Sequence, residues 1–280
     1  MSRNWRNRLN HNSPMKKFSR LLVRVGLPAL LLTAGAAQAH QFWYEGKGEQ
    51  LTFRYGELHL NLHEVSPGGL DRMVKLETTW YSPKGETPVA LTKRADRLDL
   101  DPGVRPAATD SLVSVDLEYP MHDISRDGKT LHNFWVPATR WVGDFSAREP
   151  VLTLDIVPTG KRHGDAVEFQ VTYLGEPLAG EELKVSVPSG WVRPVISDIE
   201  GKFHVALPWS GDYSVNLYFV DEVEGVRKLE GRPDGAYQRE GYNTTLSVHV
   251  AQALAPLPVA DKTLPASVLL EQGIAPPKHR

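Results

Sequence analysis

Ten histidines and no cysteine set the chemistry open to this 280-residue chain. Without thiols there is no cysteine nucleophile, no disulfide and no thiolate metal site, so a transition metal would have to be held by nitrogen and oxygen donors. The position with most to offer is His40. It follows Ala37-Gln38-Ala39, a small-residue end of the kind cut on export, and cleavage there would leave His40 with a free α-amine. That amine and the ring Nδ1 can close a six-membered chelate on one divalent ion. A third nitrogen from a distant histidine would complete a T-shaped site suited to Cu(II) or Ni(II). The unperturbed amine has a pKa of about 8, so a metal need compete only mildly with a proton at neutral pH.

Four further histidines are candidate donors. In Leu58-His59-Leu60-Asn61-Leu62-His63-Glu64 every second residue is leucine. Read as a strand, this puts His59, Asn61 and His63 on one face and the leucines on the core face. At ~3.3 Å per residue the two rings would be about 13 Å apart, too far to share an ion unless the segment bends. His59, nearer the strand beginning at Leu51, is the expected ligand, with Asn61 and His63 orienting it. The bland alternative is a polar strand face wetted by solvent. His122, two residues past Pro120 and next to Met121, and His132, before Asn133-Phe134-Trp135, are also candidates. His163, His204, His249 and His279 read as structural or solvated.

The elements that must position these residues are strands. Period-two alternation recurs in Leu51-Thr52-Phe53-Arg54-Tyr55, Val74 to Trp80, Leu112 to Leu117, Val167 to Tyr173, Leu183 to Val187, Lys202 to Leu207, Tyr213 to Phe219 and Thr245 to Val250. No window carries a long 3.6-residue stripe, so the chain is expected to be all-β. We expect two β-sandwich domains: a metal-binding unit over 40–158 and an immunoglobulin-like or prealbumin-like sandwich over 159–250. The break is placed near Pro158-Thr159-Gly160. The stretch 251–280, rich in Ala and Pro, reads as extended or disordered, with a short helix allowed around Ala266–Gln272. All the candidate ligands precede the break, which places metal binding in the first half.

Residues 1–39 carry seven Lys/Arg and no Asp or Glu, then a short apolar run broken by Gly26 and Pro28. This is the make-up of a cleaved export signal, and the run is too short for a membrane span. The expected location is therefore the periplasm. Without those seven, 25 of the 32 basic residues remain against all 34 acidic ones, a net −9 with His neutral. Such a balance attracts cations and gives no electrostatic reason to bind nucleic acid. There is no Gly-x-Ser-x-Gly elbow, no His-Glu-x-x-His, no P-loop and no dinucleotide fingerprint, and an enzyme is not expected. The cluster Asp221-Glu222-Val223-Glu224 lacks the loop spacing calcium needs.

An export signal ending directly before His40-Gln41-Phe42-Trp43 resembles the periplasmic nickel/cobalt-uptake component family, which carries a nickel-uptake substrate-specific domain. Other matching stretches are Leu154-Asp155-Ile156-Val157-Pro158, the turns Gly175 to Gly180 and Asp198 to Phe203, and Tyr242-Asn243-Thr244-Thr245-Leu246-Ser247-Val248. Together they span 40–250, with departures between Gly68 and Asp144. The resemblance implies a metal-binding N-terminal domain followed by an immunoglobulin-like one. His40 would be the first ligand, joined by histidines of its own domain. It further implies a non-enzymatic protein that delivers nickel or cobalt to a membrane transporter or outer-membrane receptor. Copper is accepted by the same donors. Two other readings stay open. One is a copper-dependent oxidative enzyme on the same chelate. The other is an adhesive or carbohydrate-binding sandwich using Trp80, Trp141, Trp191 and Trp209.

Overall fold

The computed structural model describes residues 40–228 and 233–276; the expected export signal at 1–39 and His279 lie outside the described residues. The all-β expectation holds. Among the described residues the only α-helix is Ala266–Glu271. Strands β1 (Gln41–Glu45), β2 (Thr52–Glu57) and β3 (Leu62–His63) open a five-stranded sheet, completed by Leu98–Leu100 and Leu91–Lys93. A nine-stranded sheet follows the order Val192–Ile196, Glu182–Ser186, Gly211–Asp221, Arg239–Val250, Lys129–Val142, Ser111–Asp116, Leu76–Ser82, Gly85–Val89, with His122–Arg126 beside Lys129–Val142. A four-stranded sheet contains Leu154–His163, Ala166–Tyr173, Glu176–Pro177 and Lys202–Ala206.

The nine-stranded sheet is the middle layer. Alternate residues of its strands feed two separate cores. Val113, Val115, Phe134, Val136 and Ala138 pack with Leu154, Ile156, Val167, Phe169 and Phe203 of the four-stranded sheet. Leu112, Trp135 and Trp141 pack instead with Phe42, Tyr44, Phe53 and Tyr55 of β1 and β2. Strands such as Ser111–Asp116 are therefore buried along their whole length, although their alternation suggested one wet face. Several of their polar residues, Ser114 among them, pair between layers rather than with solvent. The Ser114 hydroxyl lies 2.6 Å from both the Tyr44 and Thr78 hydroxyls, and Tyr44 N–H donates to Ser247 Oγ at 3.0 Å. Buried polar groups paired in this way cost little.

The division expected near Pro158 falls inside the strand Leu154–His163, which bends there through a register shift between Pro158 and Arg162. The largest sheet draws strands from both sides of that point. Lys129–Val142 runs parallel to Arg239–Val250, from Asn133 opposite Arg239 to Val142 opposite Val248. The two halves share a sheet rather than each closing its own.

The stretch beyond Val250, expected to be extended or disordered, docks as an ordered strap as far as residue 276. Leu254 N–H donates to the Pro208 carbonyl, Ala260 N–H to Pro188 and Thr263 N–H to Asn61. The short helix allowed at its end is present as Ala266–Glu271.

One buried ion pair ties the middle layer to the four-stranded sheet. Arg140 Nε and Nη2 donate to Asp155 at 3.0 and 2.6 Å, and Asp155 also accepts the backbone N–H groups of Val151, Leu152 and Ile156. Removing one partner of such a pair strands a buried charge, at a cost of about 3–5 kcal/mol. Asp155→Ala should lower the unfolding free energy by that amount in urea denaturation. Adding Arg140→Leu should recover a large share. A single-variant loss below about 1 kcal/mol would show that the pair does not carry the junction.

Candidate functional site

Antiparallel pairing puts Gln41 opposite Gly56 on β1 and β2, and Gly56 opposite His63 on β3. One residue back along β1, His40 stands across from Glu57; one residue on along β3, Glu64 stands across from Tyr55, and Glu64 N–H donates to the Tyr55 carbonyl at 2.8 Å. Side chains alternate across a sheet. His40, Phe42, Tyr55, Glu57 and Glu64 therefore share the inner face, while Gln41, Trp43, Arg54 and His63 share the other.

On the inner face the His40 ring is held between two buried carboxylates. Its Nε2 lies 2.7 Å from Glu64 Oε1 and its Nδ1 lies 3.5 Å from Glu57 Oε1. Glu57 and Glu64 are only 4% and 7% exposed, whereas His40 keeps an open edge. Its ring meets Tyr55 edge-on at 5.4 Å, and the Tyr55 hydroxyl is 2.7 Å from that of Tyr119. Burial pushes both phenols up from their ordinary pKa, so they stay protonated. Glu64 is seated by Gly69, where a Cβ would stand 2.2 Å from Glu64 Oε2. The helix Ala266–Glu271 closes on the adjacent Gly68, where a Cβ would lie 2.7 Å from Ser267 Oγ.

The separations at His40 are those that a metal ion would require of this ring and carboxylate. Two donors bound to one ion at ~2.1 Å stand about 3–3.5 Å apart, which is the Nδ1-to-Glu57 separation. The far ring nitrogen of a metal-bound histidine commonly bonds a carboxylate that fixes its orientation, which is the position of Glu64. Neither glutamate was singled out from the sequence. Both would have been found only by knowing the hairpin register.

The expected histidines fare differently. The segment 58–63 is not one strand. Leu58–Leu60 is a 3-10 turn, Asn61 takes the left-handed conformation at φ 46°, and only Leu62 and His63 return as β3. The alternation of leucines follows a hairpin turn, where Leu58 is buried at 2% and Leu62 at 9%. Asn tolerates a positive φ that would strain the leucines. The strap clamps this turn, since Asn61 Nδ2 donates to the Ala260 carbonyl and its own carbonyl accepts from Thr263 N–H. His59 sits on the turn two residues after Glu57 and feels that carboxylate's charge, without a hydrogen bond or ring contact to His40.

His63 points to the opposite face, its ring 5.6 Å from that of Trp43. There it borders a groove of about 180 Å³ with Glu45, Trp209, Asp212 and Leu257. The 13 Å separation on a common face is thus replaced by a turn that puts the two rings in different surroundings.

His122 and His132 lie on neighbouring strands but face opposite ways. His122 stands opposite Asn133, which donates to His122 Nε2 at 3.3 Å; His132 stands opposite Asp123, with Nδ1 2.5 Å from Oδ1. They do not share an ion, and no contact joins either to His40. His249 bonds Asp212 at 2.8 Å, in keeping with a structural role. His163 and His204, read from the sequence as structural or solvated, are exposed and meet at Glu168, with ring centroids 4.3 Å apart. The tryptophans offer little platform, since Trp141 is 4% exposed, Trp80 Nε1 donates to Asp110, and Trp191 and Trp209 pack edge to face.

No known protein family, no curated protein and no solved structure matches the chain. The resemblance to the nickel/cobalt-uptake component family rests on the quoted motifs alone.

Burial lowers the pKa of His59, His63 and His122 below the ordinary 6.5. In this direction the unfolded chain binds protons that the folded chain refuses, so stability falls as pH drops below 6.5 toward the folded values. The urea midpoint should fall between about pH 7.5 and about pH 5.5. His63→Gln should flatten that fall. An unchanged slope in the variant would mean that His63 is as solvated as in the unfolded chain.

Proposed function

We propose that this protein captures a divalent transition metal at the start of its exported form and passes it to a membrane uptake system. Nickel or cobalt is the favoured cargo, and copper is accepted by the same donors. The observation that carries the reading is the His40 ring, whose Nδ1 faces the buried Glu57 while its Nε2 is bonded to the buried Glu64. After cleavage at Ala39 the α-amine and Nδ1 of His40 would supply the chelate, and Glu57 would add an oxygen. Such a nitrogen-oxygen set suits Ni(II), Co(II) and Cu(II). Two carboxylates held in a buried pocket are stabilised by a cation, which offsets part of their desolvation. Glu64 fixes the ring so that Nδ1 is the nitrogen left for the metal. His59, on the turn after Glu57, is the further imidazole donor assigned to this site.

One observation favours a second reading, a copper-dependent oxidative enzyme. The rings of His40, Tyr55, Tyr119 and Trp135 form a continuous contact path from the site into the core, with Tyr119 and Trp135 centroids 4.6 Å apart. Such a path could carry an oxidising equivalent away from a bound copper. Oxygen consumption that rises on adding an oxidisable polymer, above the background of the copper-loaded protein with ascorbate alone, separates the two, because a delivery protein gives no substrate-dependent increase.

Titration calorimetry with Ni(II) tests the delivery reading. A chain beginning at His40 should bind at least tenfold more tightly than one with Met before His40, about 1.4 kcal/mol. Glu64→Gln should weaken binding about 10- to 100-fold through loss of ring orientation. His59→Ala should weaken it, and His63→Ala, on the far face, should not. Equal affinity for the processed and Met-extended chains would remove the chelate and this reading with it.

A further inference from the structure

Three strands of the four-stranded sheet, the central Ala166–Tyr173 and its neighbours Leu154–His163 and Lys202–Ala206, bring together residues that lie apart in sequence. His204 stands directly opposite Glu168 in the antiparallel pairing of Lys202–Ala206 with Ala166–Tyr173. On the other side of the same strand, His163 stands opposite Ala166, two residues from Glu168 and on the same face. The two-residue turn between them has Gly164 at φ 59° in its first position, which returns the chain tightly enough to hold His163 over Glu168. Val167, Phe169, Phe203 and Val205 point the other way and are buried in the larger core. The polar trio is thus fixed by a packed sheet and turned outward.

Its geometry differs from that of ordinary ion pairs. Glu168 Oε2 lies 3.5 Å from His163 Nε2 and 3.4 Å from His204 Nε2, beyond the ~2.7–3.2 Å of a good N–H···O bond. Two donors at ~2.1 Å from one tetrahedral ion stand about 3.4 Å apart. One donor atom from each residue lies within 4.8 Å of the other two. The carboxylate is buried at 5% exposure and anchored by Thr159 Oγ1, which donates to its other oxygen at 2.7 Å. That bond leaves Oε2 to the two rings. The nearby Lys202 is engaged by Glu200 at 2.8 Å. Both rings are exposed, so an ion has direct access.

We propose that His163, Glu168 and His204 form a second divalent-metal site, separate from His40, that takes a borderline first-row ion such as Zn(II). Two imidazoles and a carboxylate leave coordination positions to water or to an incoming ligand, as in three-ligand zinc sites. The site is therefore built for exchange rather than for closing a structural cage. It requires no processing of the chain, since all three donors are side chains, and it places metal binding in the half where the sequence reading expected none.

Zinc titration of the full chain, followed by the imidazole resonances in NMR and by equilibrium dialysis, tests this. The His163 and His204 rings should shift together, at the same zinc concentration, and should do so equally in a His40→Ala background. His204→Ala should weaken binding at this site at least 100-fold, and Glu168→Gln at least tenfold. His163 and His204 are solvent-facing, so their variants should keep the wild-type circular dichroism. Glu168 is not, and His163→Ala replaces it as the second variant should Glu168→Gln fail to fold. The proposal is overturned if neither ring shifts at tenfold excess zinc. It is equally overturned if one ring shifts to the same extent after the other is replaced by alanine.

Discussion

The parallel pairing of Lys129–Val142 with Arg239–Val250 is the constraint on which the rest of the molecule depends. It joins segments about a hundred residues apart, and every layer is built outward from it. Loop closure over that length is slow to form, so the pair must be rewarded by burial on both faces. Phe134 and Val136 enter one core from it and Trp135 and Trp141 enter the other. The amide of Tyr44 reaches across to Ser247 on the same strand pair, so the position of β1, and with it His40, is referred to strands from both ends of the chain. Cutting the protein near Pro158 would leave that pairing without one of its members.

The site at His40 shows how a sheet can hold charge inside without opposite charges of its own making. Glu57 and Glu64 approach the ring from β2 and β3, whose alternation directs them to the core side. Burying two carboxylates is costly unless hydrogen bonds or cations compensate. Here the ring between them supplies the hydrogen bond, and a metal at Nδ1 would supply the charge. The same alternation sends His63 outward. A single-residue slip in register between β2 and β3 would exchange Glu64 for His63 and give a different donor set.

Much of the fold could be read from the sequence because alternation is a local property. Phe53, Tyr55, Val167, Phe169, Phe203 and Val215 all point where a period of two places them. The site could be read only in part. His40 was visible through the residues before it, but Glu57 and Glu64 carry no spacing signal relative to a residue 17 or 24 positions earlier. Leu58 to His63 misled because the turn buries Leu58 and Leu62 and leaves Leu60 half-buried, a pattern that a strict alternation of leucines does not tell apart from a strand. The distinguishing feature was Asn61, one of the few residue types at ease in the left-handed region. His163 and His204 looked solvated for a sound reason, since each lies on a polar strand face. That they share one carboxylate depends on pairing between non-adjacent segments, which no local pattern reports. The strap after Val250 was misjudged on its Ala and Pro content; its few backbone bonds to Pro188, Pro208 and Asn61 order it without any apolar run.

The two proposed sites would draw their affinity from different physical sources. At His40 the decisive donor would be created by cutting the chain, and both glutamates are shielded from water, so binding there would be coupled to export and protected from competing ligands. At Glu168 the donors are complete as translated, two of the three face solvent, and coordination positions on a bound ion would remain open. Low shielding makes release as easy as capture, whereas burial slows both. If metal reaches the protein from outside and leaves toward a membrane partner, the exposed trio is suited to collecting it and the His40 pocket to retaining it. Retention is also where selectivity can be exerted, since only a site of fixed geometry and limited water can distinguish ions that accept the same nitrogen and oxygen donors.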